Sequence, residues 1–395
     1  MVIRAPSVKS IIKGNGYFCP MRIGINARLL LRDRLEGIGW HAWEIIRRMI
    51  RNHPEHQFIL FYDRREGILI PEGENIETAV KFPPSRHPLL IWWWCKALGH
   101  ACRNQRIEVF YSPEVLMPSG ISVPCLITLH DLSPLILPHS LPLAHRWYYR
   151  YAIKKNAGEA VHLFTVSQFT RSEILRILQV HPGKISVVYN AARPSFKPIT
   201  DSAGLRNRFS DGHPYFIYVG ALHQRKNVDQ IIAAFDAFKK QEGSPHKLIL
   251  AGKFMGKHRR VRKAIARSGN RADLLILGYV AEPNLGPLIA GAEALINLSE
   301  YEGFGMPLVE AFQAGTPVIA ADRSCYPEIC GQAGLLVNPH DTADVVQAMQ
   351  KAILQRRALV EAGFLQAGKY NWEESAEQVW ERIRITAQNS SHLSR

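Results

Sequence analysis

The sequence lacks several features that would place it in a specialised class of protein. Its six cysteines include no C-x-x-C pair and no partnered histidine spacing, which argues against a disulfide framework and a zinc site and indicates a reducing compartment. No run of about 18 uncharged apolar residues occurs, so we expect no membrane-spanning helix. The sequence also contains no motif for a phosphate-binding P-loop, no nucleophile elbow and no plausible metal cluster.

The apolar content is sufficient for a large core. Of the 395 residues, 47% are hydrophobic and 21% are charged, proportions that exclude a disordered or collagen-like chain. At about 150 residues per domain, this length suggests two or three folding units, and we expect two.

Basic residues outnumber acidic ones, mainly in the front half of the chain. The net charge is +15, and residues 1–200 carry 26 Lys/Arg against 14 Asp/Glu, whereas residues 201–395 carry 23 against 20. An anionic partner such as a phospholipid surface, a phosphorylated substrate or a nucleic acid is compatible with this asymmetry. A solvated basic surface is the alternative, and charge alone does not separate the two.

From Met21 onward, short apolar runs alternate with longer amphipathic ones, which is typical of parallel strands covered by helices. The predicted strands are 22–25, 57–62, 109–111, 125–129, 162–166 and 185–188 in the front half, and 215–219, 247–250, 274–277, 294–298 and 317–320 in the rear half. We therefore expect an α/β protein with two Rossmann-like, doubly wound parallel-sheet domains. Their ligand should lie in a central cleft beyond the carboxyl ends of the strands.

Composition also predicts the domain boundaries. We expect a flexible leader at 1–20, a front domain at 21–192, a linker at 193–212, a rear domain at 213–372, and a C-terminal helix and tail at 373–395. The leader contains basic residues but no continuous apolar core, so it is not a convincing secretory signal.

The most informative motif is YEGFGMPLVE at 301–310, which follows a predicted strand and opens a predicted helix. Its proline suits a first helical turn, and its glycines allow a ligand to approach the backbone. Free amides at such a helix start favour a diphosphate. Glu302 and Glu310 flank the turn, where they could accept hydrogen bonds from sugar or ribose hydroxyls or, alternatively, lie solvated on a surface loop.

A second motif, VGALHQRKN at 219–227, lies between a predicted strand and a predicted helix. Arg225 and Lys226 could neutralise a diphosphate leaving group, although basic residues before a helix are often only solvated. Asn227 and Gln230 fit a capping box that would start the helix beside these cations.

Two further signals lie in the front half. His130 and Asp131 close the predicted strand 125–129, so both side chains should lie near the predicted cleft. For a lone histidine, a buried ring with satisfied hydrogen bonds is the alternative. Gly39 ends a Gly-x-Gly turn that precedes a predicted helix at 40–50, but turns use glycine for geometry alone as well.

Taken together, these motifs resemble glycosyltransferase family 4, whose members are retaining enzymes of the GT-B fold that use nucleotide-sugar donors. The resemblance covers most of the chain, roughly residues 21–370. The segments that carry it are EGFGMPLVE at 302–310, AGTPVIA at 314–320, Pro327-Glu328, NPHD at 338–341, VYNAARPSFKP at 188–198 and LHDLSPL at 129–135.

The resemblance implies a role for each matching residue. Glu310 would bind the nucleotide ribose, Glu302 the transferred sugar, and Arg225 with Lys226 the diphosphate. The implied catalytic residues are His130, Asp131 and Glu302. The implied donor-binding residues are Gly39, Gly220, Arg225, Lys226, Phe304, Gly305, Met306, Pro307 and Glu310. Ala221 stands where many members have an arginine, and Arg225 would supply that charge, as in a mannosyltransferase-like subset.

The expected activity is that of a metal-independent, retaining hexosyltransferase with no cofactor. It would move a hexose from a nucleotide diphosphate sugar, GDP-mannose being favoured by the RKN version of the second motif, to a hydroxyl of a glycan or lipid-linked acceptor in cell-surface polysaccharide synthesis. One alternative is a GT-B relative that hydrolyses or epimerises nucleotide sugars. Another is a non-enzymatic nucleic-acid-binding protein, suggested by the net charge and the basic run at 259–263.

Three consecutive tryptophans, Trp92 to Trp94, permit two interpretations. With Lys96 they could dip an amphipathic helix into a membrane surface, or they could pack inside the front domain, which we expect for at least two of them. A cytoplasmic location, with the enzyme at the cytoplasmic face of the inner membrane, is therefore a hypothesis.

Overall fold

The structure, a computed structural model, describes residues 20–32, 35–80, 84–85, 87–140, 142–199 and 201–393. The leader expected at 1–20 lies outside the described residues apart from its last position.

The front half forms a seven-stranded parallel sheet with the order β3-β2-β1-β4-β5-β6-β7. Its strands are β1 (Arg22–Asn26), β2 (Gln57–Tyr62), β3 (Ile76–Val80), β4 (Val109–Ser112), β5 (Cys125–Leu129), β6 (His162–Thr165) and β7 (Ile185–Val187). Its helices are α1 (Gly37–Asn52), α2 (Pro88–Asn104), α3 (Ser133–Ile136), α4 (Leu143–Glu159) and α5 (Gln168–Leu178). Parallel neighbours need crossover connections, which the helices supply.

The rear half repeats this plan with a six-stranded parallel sheet in the order β10-β9-β8-β11-β12-β13. Helix α6 (Ser202–Ser210) precedes it, and its strands are β8 (Tyr215–Val219), β9 (Lys247–Ala251), β10 (Leu274–Gly278), β11 (Ala294–Asn297), β12 (Val318–Ala321) and β13 (Gly334–Val337). The later helices are α7 (Val228–Glu242), α8 (Arg259–Arg267), α9 (Glu282–Ala290), α10 (Met306–Gln313), α11 (Tyr326–Cys330), α12 (Thr342–Leu354), α13 (Arg356–Ala367) and α14 (Trp372–Leu393). The expected α/β architecture of two parallel sheets is confirmed.

Two edge strands, β3 and β13, escape prediction from the sequence. The side chains of β3 are half-buried except for the exposed middle one, and those of β13 are half-buried except for the last, which is buried. An edge strand has a neighbour on one side only, and β3 lacks the continuous apolar run that marks a strand in the middle of a parallel sheet.

Part of the expected linker, 193–212, is helical. Helix α6 begins where the Asp201 side chain accepts a hydrogen bond of 2.8 Å from the amide of Gly204. Arg206 of this helix pairs with Glu293 in the rear domain at 2.5 Å. The segment is therefore a packed part of the structure rather than an open connector.

The last helix, α14, returns to the front domain and packs along α1. Glu373 at its start pairs with Arg48 at 3.0 Å and Arg51 at 2.8 Å, both from α1. Further along, the Trp380 ring stacks on His53 with 3.9 Å between centroids. The chain thus crosses between the domains twice.

The expectation that at least two of the three tryptophans pack inside is wrong. Trp94 is buried, whereas Trp92 and Trp93 are 45% and 61% exposed. Helix α2 turns one face to the core, and Ile91, Trp94 and Leu98 occupy that face at helical spacing. No helix within the described residues combines the length and apolar character that crossing a bilayer requires.

Two helical glycines allow a matched test of how tightly α2 is packed. A Cβ at Gly99 would lie 2.0 Å from the carbonyl oxygen of Ser119, whereas nothing lies within 4 Å of one at Gly158 in α4. We expect Gly99→Ala to lower the free energy of unfolding by about 1–3 kcal/mol because backbone must move. Gly158→Ala should raise it by up to about 1 kcal/mol. Urea unfolding of both variants measures this, and equal effects would contradict the described packing.

Candidate active site

Polar side chains from two strand ends form a network at the carboxyl edge of the front sheet. Asn26, the last residue of β1, donates to the Ser112 hydroxyl and to a carboxylate oxygen of Glu114, each at 2.9 Å. Both oxygens of Glu114 also accept from the guanidinium of Arg28. Sequence analysis missed this network, since its members are scattered singly along the chain.

His130 follows β5, and its ring lies edge-on to that of His41 from α1, with 4.7 Å between centroids. Nε2 of His130 is 2.8 Å from the carbonyl oxygen of Pro113, so this nitrogen carries the proton. His41 is fully buried, and its Nδ1 lies 2.7 Å from the amide oxygen of Asn190. Burial and the neighbouring His130 lower the pKa of His41 to about 3. Burial also lowers the pKa of His130.

Asp131 lies beside His130 and faces the rear domain. Its Oδ1 accepts a hydrogen bond of 2.8 Å from the amide of Ser133, which starts helix α3. Its charge favours the protonated forms of Arg225 and Lys226. The structure therefore brings these two front-domain residues to the cations of the second motif.

In the rear domain, Arg225 and Lys226 lie in a short turn after β8 and both contact Glu302. Lys226 pairs with Oε1 of Glu302, and a guanidinium nitrogen of Arg225 lies 3.4 Å from the same oxygen. Burial opposes the ionisation of Glu302, but Lys226 and Arg225 outweigh it and hold the pKa of this carboxyl below its ordinary value. Two cations thus converge on one carboxylate oxygen.

The capping box expected at Asn227 and Gln230 is wrong. Asn227 precedes α7 in the left-handed conformation, with φ of 50°, and its side chain makes no capping hydrogen bond. Its side-chain amide nitrogen instead donates to the backbone carbonyl of Leu298 at 2.9 Å and to the carboxylate of Glu300 at 2.8 Å. This residue therefore anchors the cationic turn to the end of β11 instead of starting the helix.

The glycine-rich turn after β11 lies directly against the front domain. A Cβ at Gly303 would stand 1.8 Å from the carbonyl oxygen of His130, so only glycine permits this approach. The Gly303 carbonyl accepts from the hydroxyl of Ser167 at 2.6 Å. Ser167 also caps α5 by accepting from the amide of Thr170 at 3.1 Å. The two domains are therefore in direct contact at this point of the cleft.

The other residues of the turn shape the start of α10. Gly305 precedes the helix with φ of 86°, and a Cβ there would lie 2.6 Å from the Tyr326 ring. Pro307 lies in the first turn of α10. Phe304 and Met306 are buried. Gly220, a further predicted donor contact, directly follows β8.

Glu310 is fully buried on α10 and is paired with a residue that sequence analysis missed. Nε of Arg193 donates to a carboxylate oxygen of Glu310 at 2.6 Å. The same guanidinium stacks on the Trp40 ring, 4.6 Å from its centroid, and on Phe196. Because Trp40 follows Gly39 in the first turn of α1, Arg193 links the Gly39 turn to Glu310.

Residues 189–193 make three side-chain contacts to residues that are distant in the chain. Besides Arg193, Asn190 holds His41, and the Tyr189 hydroxyl donates to Glu328 at 3.0 Å. Glu328 accepts in turn from the amides of Gln168 and Phe169, at 2.8 and 2.9 Å, at the start of α5. The VYNAAR motif was visible in the sequence, but its side-chain partners lie more than a hundred residues away.

The structure thus assembles the predicted residues into two groups. His130, Asp131, Arg225, Lys226 and Glu302 meet where the domains touch. Gly39 and Glu310 are linked through Arg193. Across the described ranges, no group of three or more His, Cys, Asp or Glu side chains is arranged to hold a metal ion.

Comparisons with known proteins point to one kind of chemistry. The family model described as "Glycosyltransferase Family 4" matches residues 35–196, and the model described as "Glycosyl transferases group 1" matches residues 206–365. The chain is 26% identical over 363 residues to "O-antigen chain mannosyltransferase B" of Escherichia coli, covering 87% of this chain and 94% of that protein.

Solved structures share the fold. Sucrose-phosphate synthase from Thermosynechococcus elongatus superposes with a TM-score of 0.78 at 18% identity, over 92% of this chain and 98% of that one. Anabaena HepE, solved with UDP and glucose, gives a TM-score of 0.72 at 16% identity, over 93% and 100%. Both sheets and the cleft between them therefore follow the GT-B arrangement.

The buried neutral His41 predicts acid sensitivity. Unfolded histidine takes up a proton near pH 6.5, whereas folded His41 does so only near pH 3. Lowering the pH through this window therefore favours the unfolded state, by roughly 1 kcal/mol at pH 5.5 from this residue. We expect His41→Asn to remove about that much of the loss in unfolding free energy between pH 7 and 5.5. Urea unfolding at pH 7 and at pH 5.5 measures this loss, and the exposed His100→Asn is the control. If His41→Asn loses as much unfolding free energy between the two pH values as the unaltered chain does, the assignment is wrong.

Proposed function

The chain belongs to glycosyltransferase family 4, and from that premise we propose that it transfers a hexose, with retention, from a nucleotide diphosphate sugar to a glycan or lipid-linked hydroxyl. Mannose is the favoured sugar, and cell-surface polysaccharide synthesis the favoured process. This proposal is carried by one observation: Lys226 and Arg225 converge on Glu302, next to the contact between Gly303 and the carbonyl of His130. The name of the Escherichia coli mannosyltransferase supports the choice of donor and process.

The cation pair is suited to a diphosphate. A carboxylate oxygen already draws Lys226 and Arg225 together, and a diphosphate offers them several charged oxygens at once. When it binds, Glu302 is released to accept hydrogen bonds from hydroxyls of the transferred sugar. Helix α10 begins four residues after Glu302, and the dipole at its N-terminus adds positive potential.

Glu310 is proposed to bind the ribose of the nucleotide. Its buried carboxylate is paired with the guanidinium of Arg193. Arg193 uses one edge of its guanidinium on Glu310 and stacks its face on Trp40. It therefore fixes the rotamer of Glu310 and acts as a positioning residue.

The proposed reaction takes place on one face of the sugar. The bond from the anomeric carbon to the diphosphate breaks as the acceptor oxygen approaches from the same side, and the leaving phosphate oxygen takes the acceptor proton. Neutral His130 adds no positive charge beside a sugar that becomes oxocarbenium-like. Lys226 and Arg225 stabilise the charge that develops on the diphosphate. This route uses no metal ion and no cofactor.

We place the enzyme in the cytoplasm, at the cytoplasmic face of the inner membrane, where lipid-linked acceptors are exposed. The positive charge of the front half supports this location. Nucleic acid is not among the proposed partners.

Removing the charge of Glu310 tests the ribose contact. We expect Glu310→Gln to lower kcat/KM for the donor by roughly 10- to 100-fold, mainly through KM, because hydrogen bonds to a charged group are lost. The surface variant Glu361→Gln is the control, and near-UV circular dichroism verifies the fold. Unchanged donor KM in folded Glu310→Gln would refute the assignment.

Product analysis tests the donor, the stereochemistry and the absence of metal chemistry together. With GDP-mannose and a soluble mannoside acceptor, we expect an α-mannoside by NMR, at a rate unaffected by EDTA. Reactions without acceptor measure hydrolysis, and UDP- and ADP-sugars serve as competing donors. A β-product contradicts retention, loss of activity in EDTA contradicts metal independence, and faster acceptor-free turnover supports a hydrolase instead.

A further inference from the structure

Helices α2 and α4 of the front domain expose large apolar side chains. Those on α2 are Leu89, Trp92 and Trp93, which are 69%, 45% and 61% exposed; those on α4 are Leu143, Trp147 and Tyr151, which are 72%, 75% and 59% exposed. The α4 residues recur every four positions and so form one stripe along the helix. An isolated exposed aromatic needs no explanation, but a group of six large apolar side chains on two neighbouring helices does.

The two stripes belong to one surface, because the beginnings of the helices meet. The ring of His87, which caps α2, lies 6.3 Å from the ring of His145 in the first turn of α4. Further along the two helices, Tyr148 of α4 hydrogen-bonds with Cys95 of α2. We call the six exposed apolar residues, together with the basic residues of these helices, the aromatic-basic surface.

Its charge is almost entirely positive. The basic residues of the two helices are Lys96, Arg103, Arg146, Arg150, Lys154 and Lys155, and Glu159 is their one acidic residue, paired with Lys155 at 2.6 Å. On α2 the exposed apolar residues precede the basic ones, whereas on α4 Arg146 and Arg150 alternate with the apolar stripe and Lys154 and Lys155 follow it. The ammonium group of Lys96 lies over the Trp92 ring, 3.9 Å from its centroid, so the two types are in contact.

We propose that the aromatic-basic surface docks the protein onto a bilayer that contains anionic phospholipids. Tryptophan and tyrosine favour the boundary between headgroups and acyl chains, where one end of the ring is apolar and the other wet. Lysine and arginine beside them attract anionic headgroups. Apolar insertion and a basic cluster together supply the two signals that stable peripheral binding needs.

The opposite side of α4 reaches the candidate site. Tyr149 hydrogen-bonds with Arg28, which is paired with Glu114 at the carboxyl edge of the front sheet. One helix therefore separates the proposed lipid contact from the front side of the cleft. A lipid-linked acceptor, whose identity rests on the proposed function, would have its hydroxyl end next to this edge while its lipid stays in the bilayer.

Flotation of the full chain with vesicles tests the docking. We expect binding to vesicles of phosphatidylcholine with phosphatidylglycerol, weakening as salt rises, and at least about tenfold weaker binding to phosphatidylcholine alone, because the basic residues supply part of the attraction. No binding to the anionic vesicles would overturn the proposal.

Paired variants show whether this surface makes the contact. Lys96→Gln with Lys154→Gln should lower the partition coefficient roughly 25-fold, since each charge near the surface contributes about fivefold. Arg260→Gln with Lys263→Gln on α8 makes the same change in net charge elsewhere and should change it by less than about twofold. Equal losses in the two double variants would mean unspecific attraction and overturn the proposal.

The apolar residues are tested in the same way. Trp93→Ser with Trp147→Ser should reduce vesicle binding at least tenfold, whereas Leu354→Ser with Leu365→Ser, at exposed sites of the rear domain, should not (about 83% and 76% exposed). Sugar transfer to a soluble acceptor should be unchanged in both double variants. If the tryptophan variant instead abolishes self-association seen by sedimentation velocity and leaves vesicle binding intact, the surface joins two copies and the proposal is wrong.

The catalytic variant separates this proposal from the proposed function. Glu310→Gln should float with anionic vesicles like the unaltered chain, because Glu310 is buried in the rear domain. Vesicle binding without sugar transfer by the unaltered chain counts against the proposed function alone. Loss of vesicle binding in Glu310→Gln would overturn the docking assignment to α2 and α4.

Discussion

The contact between the glycine-rich turn and the end of β5 is the constraint on which the rest of the site depends. Gly303 lies so close to the His130 carbonyl that no side chain fits between them. This contact sets where Glu302 lies, and with it where Arg225 and Lys226 meet the front domain. The Ser167 hydroxyl of the front domain donates to the carbonyl of Gly303 itself, so backbone atoms as well as side chains take part in the contact between the domains.

Glu302 in the turn and Glu310 on α10 are both paired with cations of the protein. Glu302 has Lys226 and Arg225, and Glu310 has Arg193. A buried carboxylate without such a partner would protonate or destabilise the fold, since breaking a buried ion pair costs roughly 3–5 kcal/mol. Lys226 and Arg225 hold the pKa of Glu302 below its ordinary value, and in the proposed reaction the diphosphate binds these two cations in place of Glu302.

Sequence reasoning found the residues whose motifs are contiguous and missed those whose partners are distant. The EGFG turn, the RKN turn and His130-Asp131 each follow a strand, and a parallel sheet gathers strand ends at one edge. Arg193, Arg28 and Glu114 gave no such signal, because each acquires its role from a residue far away in the chain. The prediction of a capping box was wrong for a related reason. The side chain of Asn227 donates to Leu298 and Glu300, which lie at the end of another strand.

The sequence by itself determined the two parallel sheets, the positions of most of their strands along the chain and the turns that carry the acids and cations, because these depend on local periodicity and on residues adjacent in the chain. The tertiary structure decided which carboxylate each cation holds, that the Gly39 turn connects to Glu310 through Arg193, and that Trp92 and Trp93 lie outside. It also brought α4 beside α2, so that tryptophans and lysines about fifty residues apart share one surface. Pairings of this kind depend on how helices dock across a sheet, and a one-dimensional pattern does not specify that geometry.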